Sequence, residues 1–594
     1  MQGEPFQQRV ALSGAWRFSL GQKTRVALFM GAPALLIGVL VWPLLFTGGV
    51  PSPDWANHLL YMWLQSEAIR TGHHPSFFIN YSHSVFYPEY AFYGGTLYAV
   101  VGTLSLLLGN APIETYVSTW VMGFAASYGG WYWMAHMAGL RRYRAHVPGL
   151  VFITSAYYLT LVYARGDWPE FTGVSMLPLL IASGLSVLRA DRLRFWPALA
   201  LGASSVMFFG SHSLTIVWGS TVSALTGVLV VLFVPEVRRW LTWRSSGRVA
   251  LLVVPALLVS AWFLLPTAIY QAHTLIGIEY PYWRVGLRDT MFMVSAHNLF
   301  TLSRASFIQP GADFALSLPI LAMAWSLVCI PIFWRGGLRG AWGRVFLICA
   351  AVTVLMTIVM TQAGLMLALP RPYAILQFAY RLESYVILAL SGTVLAALVV
   401  AQKGVPRMRA WAWALVPVLA VSVVGAIQQA SAYPKGGDRS QSIRQHAKPG
   451  PTERGLSDYI DGSLPVVRSR GGQPPQVNFS FSAVRGDHIS KVVHLRPGTL
   501  VYSNVGGGPE LVHVTGAKIV GISPIGLDAL EIGAAATSPP AGSGASRSTE
   551  VISLSTASTW PVVLGRILTV SAMLFLLGFF VVLGVRRART RAHA

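Results

Sequence analysis

The chain has 594 residues, 54% hydrophobic and only 11% charged, with a mean hydropathy of +0.54. A soluble domain carries about 25% charged residues, so this composition leaves most of the chain no aqueous surface to occupy. The 44 basic against 22 acidic residues give a net charge of +22, but the positive charge sits in short loops between apolar runs. That is the pattern of a polytopic membrane protein and not of a nucleic-acid binder.

Residues 1–24 form a basic tail (Arg9, Arg17, Lys23) and are placed in the cytoplasm. The first apolar run, Arg25 to Phe46, is too long for a cleavable signal and lacks a small-residue cleavage site, so it reads as the first spanning helix. Apolar runs near the ~20 residues a span needs recur at 91–109, 115–138, 146–163, 172–188, 195–210, 213–234, 249–270, 316–334, 345–363, 384–401, 410–427 and 561–585. The sequence therefore predicts an all-α bundle over 25–427 with an outer loop at 48–90, and about 12–13 transmembrane helices in all once the final one at 561–585 is included. The tail 586–594 is basic.

From residue 140 onward the loops alternate. Basic loops such as Arg141-Arg142-Tyr143-Arg144, Arg189 to Arg194 and Arg335 to Arg344 belong inside, and the loops between them outside. Before residue 140 the count conflicts: with both 91–109 and 115–138 crossing, Arg141 falls outside. One of the two must be re-entrant, short or split, and Gly94-Gly95, Gly102 and Gly129-Gly130 allow a break in either. The stretch 55–69 is too polar to span and is expected to lie along the outer membrane surface.

Residues 428–560 differ in kind, being rich in Gly, Ser, Pro and charge. Strand-like runs at 476–483, 491–495, 500–503, 511–514 and 518–522, separated by turns such as Arg485-Gly486-Asp487, predict a small extracytoplasmic β-sandwich. The Ala/Ser/Pro/Gly stretch 536–548 reads as a linker into the last helix. Cys329 and Cys349 lie within apolar segments and read as buried thiols.

Ionisable groups at membrane depth are costly, so each needs a reason. Asp54 and His58 stand at i and i+4, on one helical face. They suit a metal site or a base with its orienting partner, while Asp54 alone also suits a helix cap after Pro53. His73-His74-Pro75 and the aromatic stretch from Phe77 to Tyr93, with His83, follow; rings at an interface anchor it, and they also stack on sugars. The segment Tyr163-Ala164-Arg165-Gly166-Asp167-Trp168-Pro169-Glu170 sits in a loop too short to reach bulk water, as a salt-bridged turn or as part of a site. Ser211-His212 and Gln377-Phe378-Ala379-Tyr380-Arg381 complete the set. Charge alternation puts these clusters on one face, which points to one shared site.

Asp54-x-x-x-His58, Gly72 through Pro75, Tyr163-x-Arg165-Gly166-x-x-x-Glu170, Ser211-His212 and Gln377-Phe378-x-x-Arg381, in that order, resemble the motifs of the bacterial membrane proteins labelled 6-pyruvoyl-tetrahydropterin-synthase-related. Those proteins are similar to GT-C glycosyltransferases. Where that family has Pro-Trp-Arg after Gln-Phe, this chain has Ala379-Tyr380-Arg381, and it shows no pterin-type zinc site.

The resemblance implies a GT-C-like bundle in the bacterial inner membrane, its site facing the periplasm. It implies a sugar transferred from a polyprenyl-phosphate donor to a glycan, lipid or protein acceptor. Asp54, His58 and Glu170 take catalytic roles on this reading, with Asp54 as general base or, together with His58, as ligand to a divalent metal ion. Arg165, Asp167, His212, Gln377, Tyr380 and Arg381 take substrate-binding roles. The rivals are a non-catalytic protein and a transporter for lipid-linked glycans; a transporter would be supported by inverted repeats, and the sequence has no internal repeat.

Overall fold

The computed structural model describes residues 20–46, 53–274, 305–306, 313–314, 320–333, 338–374, 378–403, 411–432, 464–468, 473–533 and 548–592, apart from a few single positions within these ranges. The molecule is a multi-pass helical bundle with a small β-containing domain towards its C-terminus.

In chain order the bundle comprises α1 (Leu20–Phe46), α2 (Pro53–Gly72), α3 (Gly95–Leu107), α4 (Pro112–Met137), α5 (Val147–Ile153), α6 (Ala156–Thr160), α7 (Trp168–Arg189), α8 (Phe195–Phe209), α9 (Ser213–Phe233), α10 (Trp243–Leu258) and α11 (Ala261–Tyr270). It continues with α12 (Ile320–Phe333), α13 (Ala341–Thr361), α14 (Glu383–Lys403), α15 (Leu415–Ala432) and α16 (Trp560–Ala592). Every apolar segment predicted from the sequence carries one of these helices. Among the described residues five helices are long and apolar enough to cross a membrane alone, and two bent pairs raise that to seven; five shorter apolar helices accompany them.

The bends have local causes. The 67° break between α10 and α11 has Pro255 and Pro266 on its two sides. Thr569 of α16 reaches into it, accepting from the Trp262 amide at 3.0 Å and donating to the Leu258 carbonyl at 3.2 Å. A hydroxyl from a neighbouring helix thus satisfies backbone groups that lipid cannot. The 54° break between α5 and α6 runs on into a π-helical turn, Leu161–Arg165, and it aims Arg165 at the site.

The two helices at the conflict near residue 100 differ in length. The 13 residues of α3 rise only about 20 Å, short of the ~30 Å hydrocarbon core, whereas α4 runs unbroken for 26. If α3 does not cross, the loop alternation becomes consistent along the whole chain.

The stretch 55–69, expected along the outer membrane surface, is packed within the protein. Trp55, Leu59, Leu60, Met62, Leu64, Gln65 and Ser66 are all buried, so α2 is enclosed on most of its circumference. Gly102 of α3 lets the two helices touch: a Cβ there would fall 3.1 Å from the Ser66 amide. The Trp55 carbonyl accepts from the Tyr116 hydroxyl of α4. Polar side chains that looked solvent-facing are internal partners; Gln65 exchanges two hydrogen bonds with the Ser76 backbone.

A hairpin of β1 (Asn80–Ser82) and β2 (Val85–Tyr87) joins α2 to the β-domain, where Phe86 bridges to Val505. The β-domain strands are β3 (Gln476–Val477), β4 (His488–Leu495), β5 (Leu500–Ser503), β6 (Val512–Thr515), β7 (Ala517–Ile522), β8 (Asp528–Ile532) and β9 (Ser548–Thr556). They form a four-stranded sheet ordered β3-β5-β8-β7 and a three-stranded sheet ordered β4-β9-β6. Residues 481–483 form a 3-10 turn and not strand. The linker reading of 536–548 is corrected at its end: β9 lies between it and α16, with Ile552 and Leu554 buried. Cys329 and Cys349 are buried free thiols.

At Gly72 and Gly486 the last turn of α2 meets the β-domain backbone to backbone: a Cβ on Gly72 would sit 2.6 Å from the Gly486 Cα. Thr71 also accepts from the Gly486 amide at 2.7 Å.

Candidate active site

The site is built where five separate segments reach one end of the bundle. The π-turn ends on Arg165, and Gly166 then takes a left-handed conformation (φ 66°), which a side chain would disfavour. That reversal brings Asp167 back under Arg165 and starts α7. Asp167 caps the helix, its Oδ1 accepting from the Glu170 amide at 3.1 Å.

Two acids and two arginines then close on each other. Arg165 Nη2 donates to Asp167 Oδ2 at 2.7 Å and its Nη1 to Glu170 Oε2 at 2.8 Å. Arg381, on the 3-10 turn Ala379–Leu382 ahead of α14, lies 3.7 Å from Asp167 and 3.4 Å from Glu170. All four side chains are buried. Tyr157 braces the pair by donating to Glu170 Oε1 at 3.0 Å and accepting from Arg165 at 3.2 Å. Tyr380 presents its ring to the Arg165 guanidinium, 5.4 Å from centroid to carbon.

The two arginines are not held alike. Arg165 makes short, direct bonds to both acids. Arg381 is paired at longer range; its Nε is buried without a hydrogen bond, and its Nη1 lies 3.5 Å from His212 Nε2.

His212 caps α9, its Nδ1 accepting from the Thr215 amide. Burial holds its pKa down to about 3, with Arg381 and Arg165 adding to the effect and Asp167 opposing it. His58 is likewise neutral at pH 7: burial lowers its pKa to about 4. Its Nδ1 meets the Tyr98 hydroxyl at 2.6 Å, and its ring stacks on Tyr93 at 5.7 Å. Tyr93 ties the two halves together. It sits edge-on to His212 at 5.1 Å, and its hydroxyl donates to Asp167 Oδ1 at 3.3 Å. Burial alone would raise the Asp167 carboxyl, but Arg165, His212 and Arg381 outweigh it and the net shift is downward.

Asp54 opens the site. It stands in the first turn of α2 with an exposed side chain, unlike the buried quartet. The protein packed behind it raises its carboxyl above the ordinary range, Arg165 opposing, Asp167 reinforcing and Arg381 opposing that shift. The charges acting on Asp54 are therefore those of the quartet.

Of the residues singled out from the sequence, Asp54, His58, Arg165, Asp167, Glu170, His212, Tyr380 and Arg381 come together here. Gln377 and His83 lie outside the described residues. His74 lies elsewhere, 3.9 Å from Asp487 of the β-domain. Tyr93, Tyr98 and Tyr157 were not distinguished by sequence, because interfacial tyrosines look the same whether they anchor or bridge. Glu383 was missed as well; it is wholly buried two residues past Arg381, and neither oxygen makes a hydrogen bond among the described residues.

For a divalent cation the donor set is small. Among the described residues no group of three His, Cys, Asp or Glu side chains assembles, and His58 Nδ1 is already engaged by Tyr98. Asp54 fits a hard cation that keeps water and substrate oxygens in its other positions, not a closed protein cage.

No family model and no curated protein matches the chain. Solved structures do. The apo oligosaccharyltransferase of Archaeoglobus fulgidus has a TM-score of 0.43 at 13% identity, over 76% of this chain and 62% of that one. The arabinofuranosyltransferase AftD from Mycobacteria gives 0.42 at 15%, over 69% and 27%. ArnT from Cupriavidus metallidurans bound to undecaprenyl phosphate gives 0.30 at 13%, over 68% and 89%. These neighbours are glycosyltransferases of the GT-C type, and this chain spans less than two thirds of the length of the first two.

Proposed function

We propose that the chain is a GT-C-type membrane glycosyltransferase of the bacterial inner membrane. It takes a sugar from a polyprenyl-phosphate donor and passes it to an acceptor on the outer face, where the β-domain 428–560 also lies. The observation that carries this reading is one exposed acid, Asp54, set beside a buried, charge-matched quartet in which Arg381 joins Arg165, Asp167 and Glu170 from some two hundred residues away.

On this reading Asp54 takes the proton of an acceptor hydroxyl as that oxygen attacks the anomeric carbon and the bond to the polyprenyl phosphate breaks. Its raised carboxyl pKa makes it the stronger base. The departing phosphate carries negative charge, and Arg381 is the cation best able to meet it, because its ion pairs to the acids, 3.7 Å to Asp167 and 3.4 Å from its Nε to Glu170, are longer than those of Arg165 and its Nε makes no hydrogen bond. Arg165 is a brace, with both terminal nitrogens committed to Asp167 and Glu170. Glu170 has both oxygens engaged, which suits positioning and not proton transfer. Neutral His58 and Tyr93 hold Asp54's helix against the quartet. A divalent ion, where one binds, would offset phosphate charge with Asp54 as its protein ligand.

The rival is a non-catalytic or exporting protein that holds a lipid-linked glycan. Asp54→Asn tests between them: Asp54 lies within the first turn of α2 and is not its cap, and Asn keeps the side chain's size while removing its charge and its basicity. The expected outcome, in a deletion strain complemented with the variant, is unchanged expression with lipid-linked or envelope glycan product down by about 10²–10⁴, the cost of losing a general base. Full product from well-expressed Asp54→Asn would overturn the catalytic role. Accumulation of an intact glycan on one side of the membrane would mark an exporter.

A further inference from the structure

At the end of the bundle away from Asp54, the ends of α7 and α16 and the starts of α8 and α10 close around one apolar cluster of Val187, Ala198, Leu201 and Leu252. Arginines from three separate stretches of chain gather over it, and they divide into two kinds. Some are fixed. Arg189 donates to the Met137 carbonyl at 3.1 Å and lies over the Trp240 ring at 4.9 Å. Arg248 donates to the Ala190 carbonyl at 2.7 Å, and Arg587 lies over Trp196 at 4.8 Å. These satisfy helix C-termini or stack on rings.

Others are uncommitted. Arg192, Arg194, Arg239, Arg244, Arg586 and Arg589 are exposed, and among the described residues their side chains make no ion pair or hydrogen bond. The acids in the same turns are Asp191 and Glu236 alone. Two tryptophans flank the group, Trp196 at 60% and Trp243 at 92% exposure, and indoles favour the headgroup level of a bilayer. The 33 residues of α16 rise about 50 Å against a hydrocarbon core of ~30 Å. Its arginine-bearing end therefore projects beyond the core, where phosphates lie.

We propose that this face is a binding surface for anionic phospholipid headgroups, with Arg192, Arg194, Arg239 and Arg244 holding lipid phosphate and Trp196 and Trp243 seated at the glycerol level. A guanidinium presents paired donors that match two phosphate oxygens. Six exposed arginines that make no ion pair among the described residues, against two acids in the same turns, leave an excess of positive charge to be met from outside the protein, and the tryptophans place it at the membrane surface and not in bulk water. The surface is distinct from the quartet and stands whether or not the quartet is catalytic.

The test uses the full chain purified in an uncharged detergent and native mass spectrometry to count bound lipid. Phosphatidylglycerol is titrated against phosphatidylcholine of the same acyl chains, with soluble glycerol phosphate as a third arm. The expected result is tighter retention of phosphatidylglycerol, weakened by salt. In the combined variant Arg192→Gln, Arg194→Gln, Arg239→Gln, Arg244→Gln, affinity falls by at least about tenfold, since each basic residue near an anionic surface is worth about fivefold. Equal retention of the two lipids overturns the proposal. So does unchanged affinity in the variant, and so does competition by glycerol phosphate at the same concentration as lipid, which would mark a soluble-anion site. If the variant does not fold, salt dependence of the unmodified chain decides: phosphatidylglycerol binding indifferent to salt rejects the arginine surface.

Discussion

The two ends of the bundle handle charge in opposite ways. At the Asp54 end, two arginines and two acids are buried with each arginine within 3.7 Å of each acid, and aromatic rings bridge the pieces. At the other end, arginines outnumber acids and many stand in the open. A charge taken out of water must be matched in place, so its geometry is fixed. A charge left in water fixes nothing and is free to meet whatever lies outside. Preorganised electrostatics belong at the first end and orientation and lipid contact at the second.

This contrast sets the expected size of mutational effects. The largest belongs to the quartet. Arg165→Leu leaves Asp167 and Glu170 facing Arg381 alone and should cost about 3–5 kcal/mol, the penalty for breaking a buried pair from one side. The thermal midpoint of the purified chain should drop sharply, and the double change Arg165→Leu with Glu170→Leu should recover part of the loss. A single change as damaging as the double would leave the pairing idea without support.

Acid should strike the same end next. His58 and His212 are held neutral, with pKa values of about 4 and about 3, below the ordinary imidazole value near 6.5. Their unfolded forms therefore bind protons first as pH falls. The imidazoles' contribution to stability is intact above about pH 6.5 and declines toward about pH 4, by up to about 2.7 kcal/mol per pH unit for the two together, offset in part by the raised carboxyls of Asp54 and Glu170, which take up protons in the folded state first. Asp167 is shifted down, so its contribution persists through that window and is lost only at lower pH. A thermal midpoint that stays flat between about pH 7 and 4.5 would mean that solvent reaches these imidazoles and that the site is open.

The smallest effect is expected at the opposite end. Arg192→Gln alone should leave stability within about 0.5 kcal/mol, as for exposed positions without partners. A drop comparable to that of Arg165→Leu would break the contrast between the two ends.

The sequence disclosed the bundle well, because apolar length and loop charge are properties a span needs regardless of its neighbours. It also disclosed most of the cluster: Asp54, Arg165, Glu170, His212 and Arg381 are each conspicuous as ionisable groups beside apolar runs. What it hid depends on tertiary neighbours. The enclosure of α2 could not be read from its own residues, since Gln65 and Ser66 look solvent-facing until Ser76 and α3 are placed against them. Tyr93 was one aromatic among many, and only the positions of His58, His212 and Asp167 separate a bridge from an anchor. β9 was lost for a different reason: its alternation of Ile552 and Leu554 with polar residues is short and follows a low-complexity stretch, which drew the reading toward a linker.

β9 also bears on how the protein is made. The last strand in sequence is the middle strand of its sheet, between β4 and β6. Chains emerge N-terminus first and fold in that order. The centre of this sheet is missing until residue 556 has been synthesised, after every helix of the bundle except α16. The β-domain that presses on Gly72 at the far end of α2 can therefore close only as synthesis nears its end. The helix bearing Asp54 gains its contact with the β-domain at that point, so the nascent protein carries that end of α2 uncovered until residue 556 has been made.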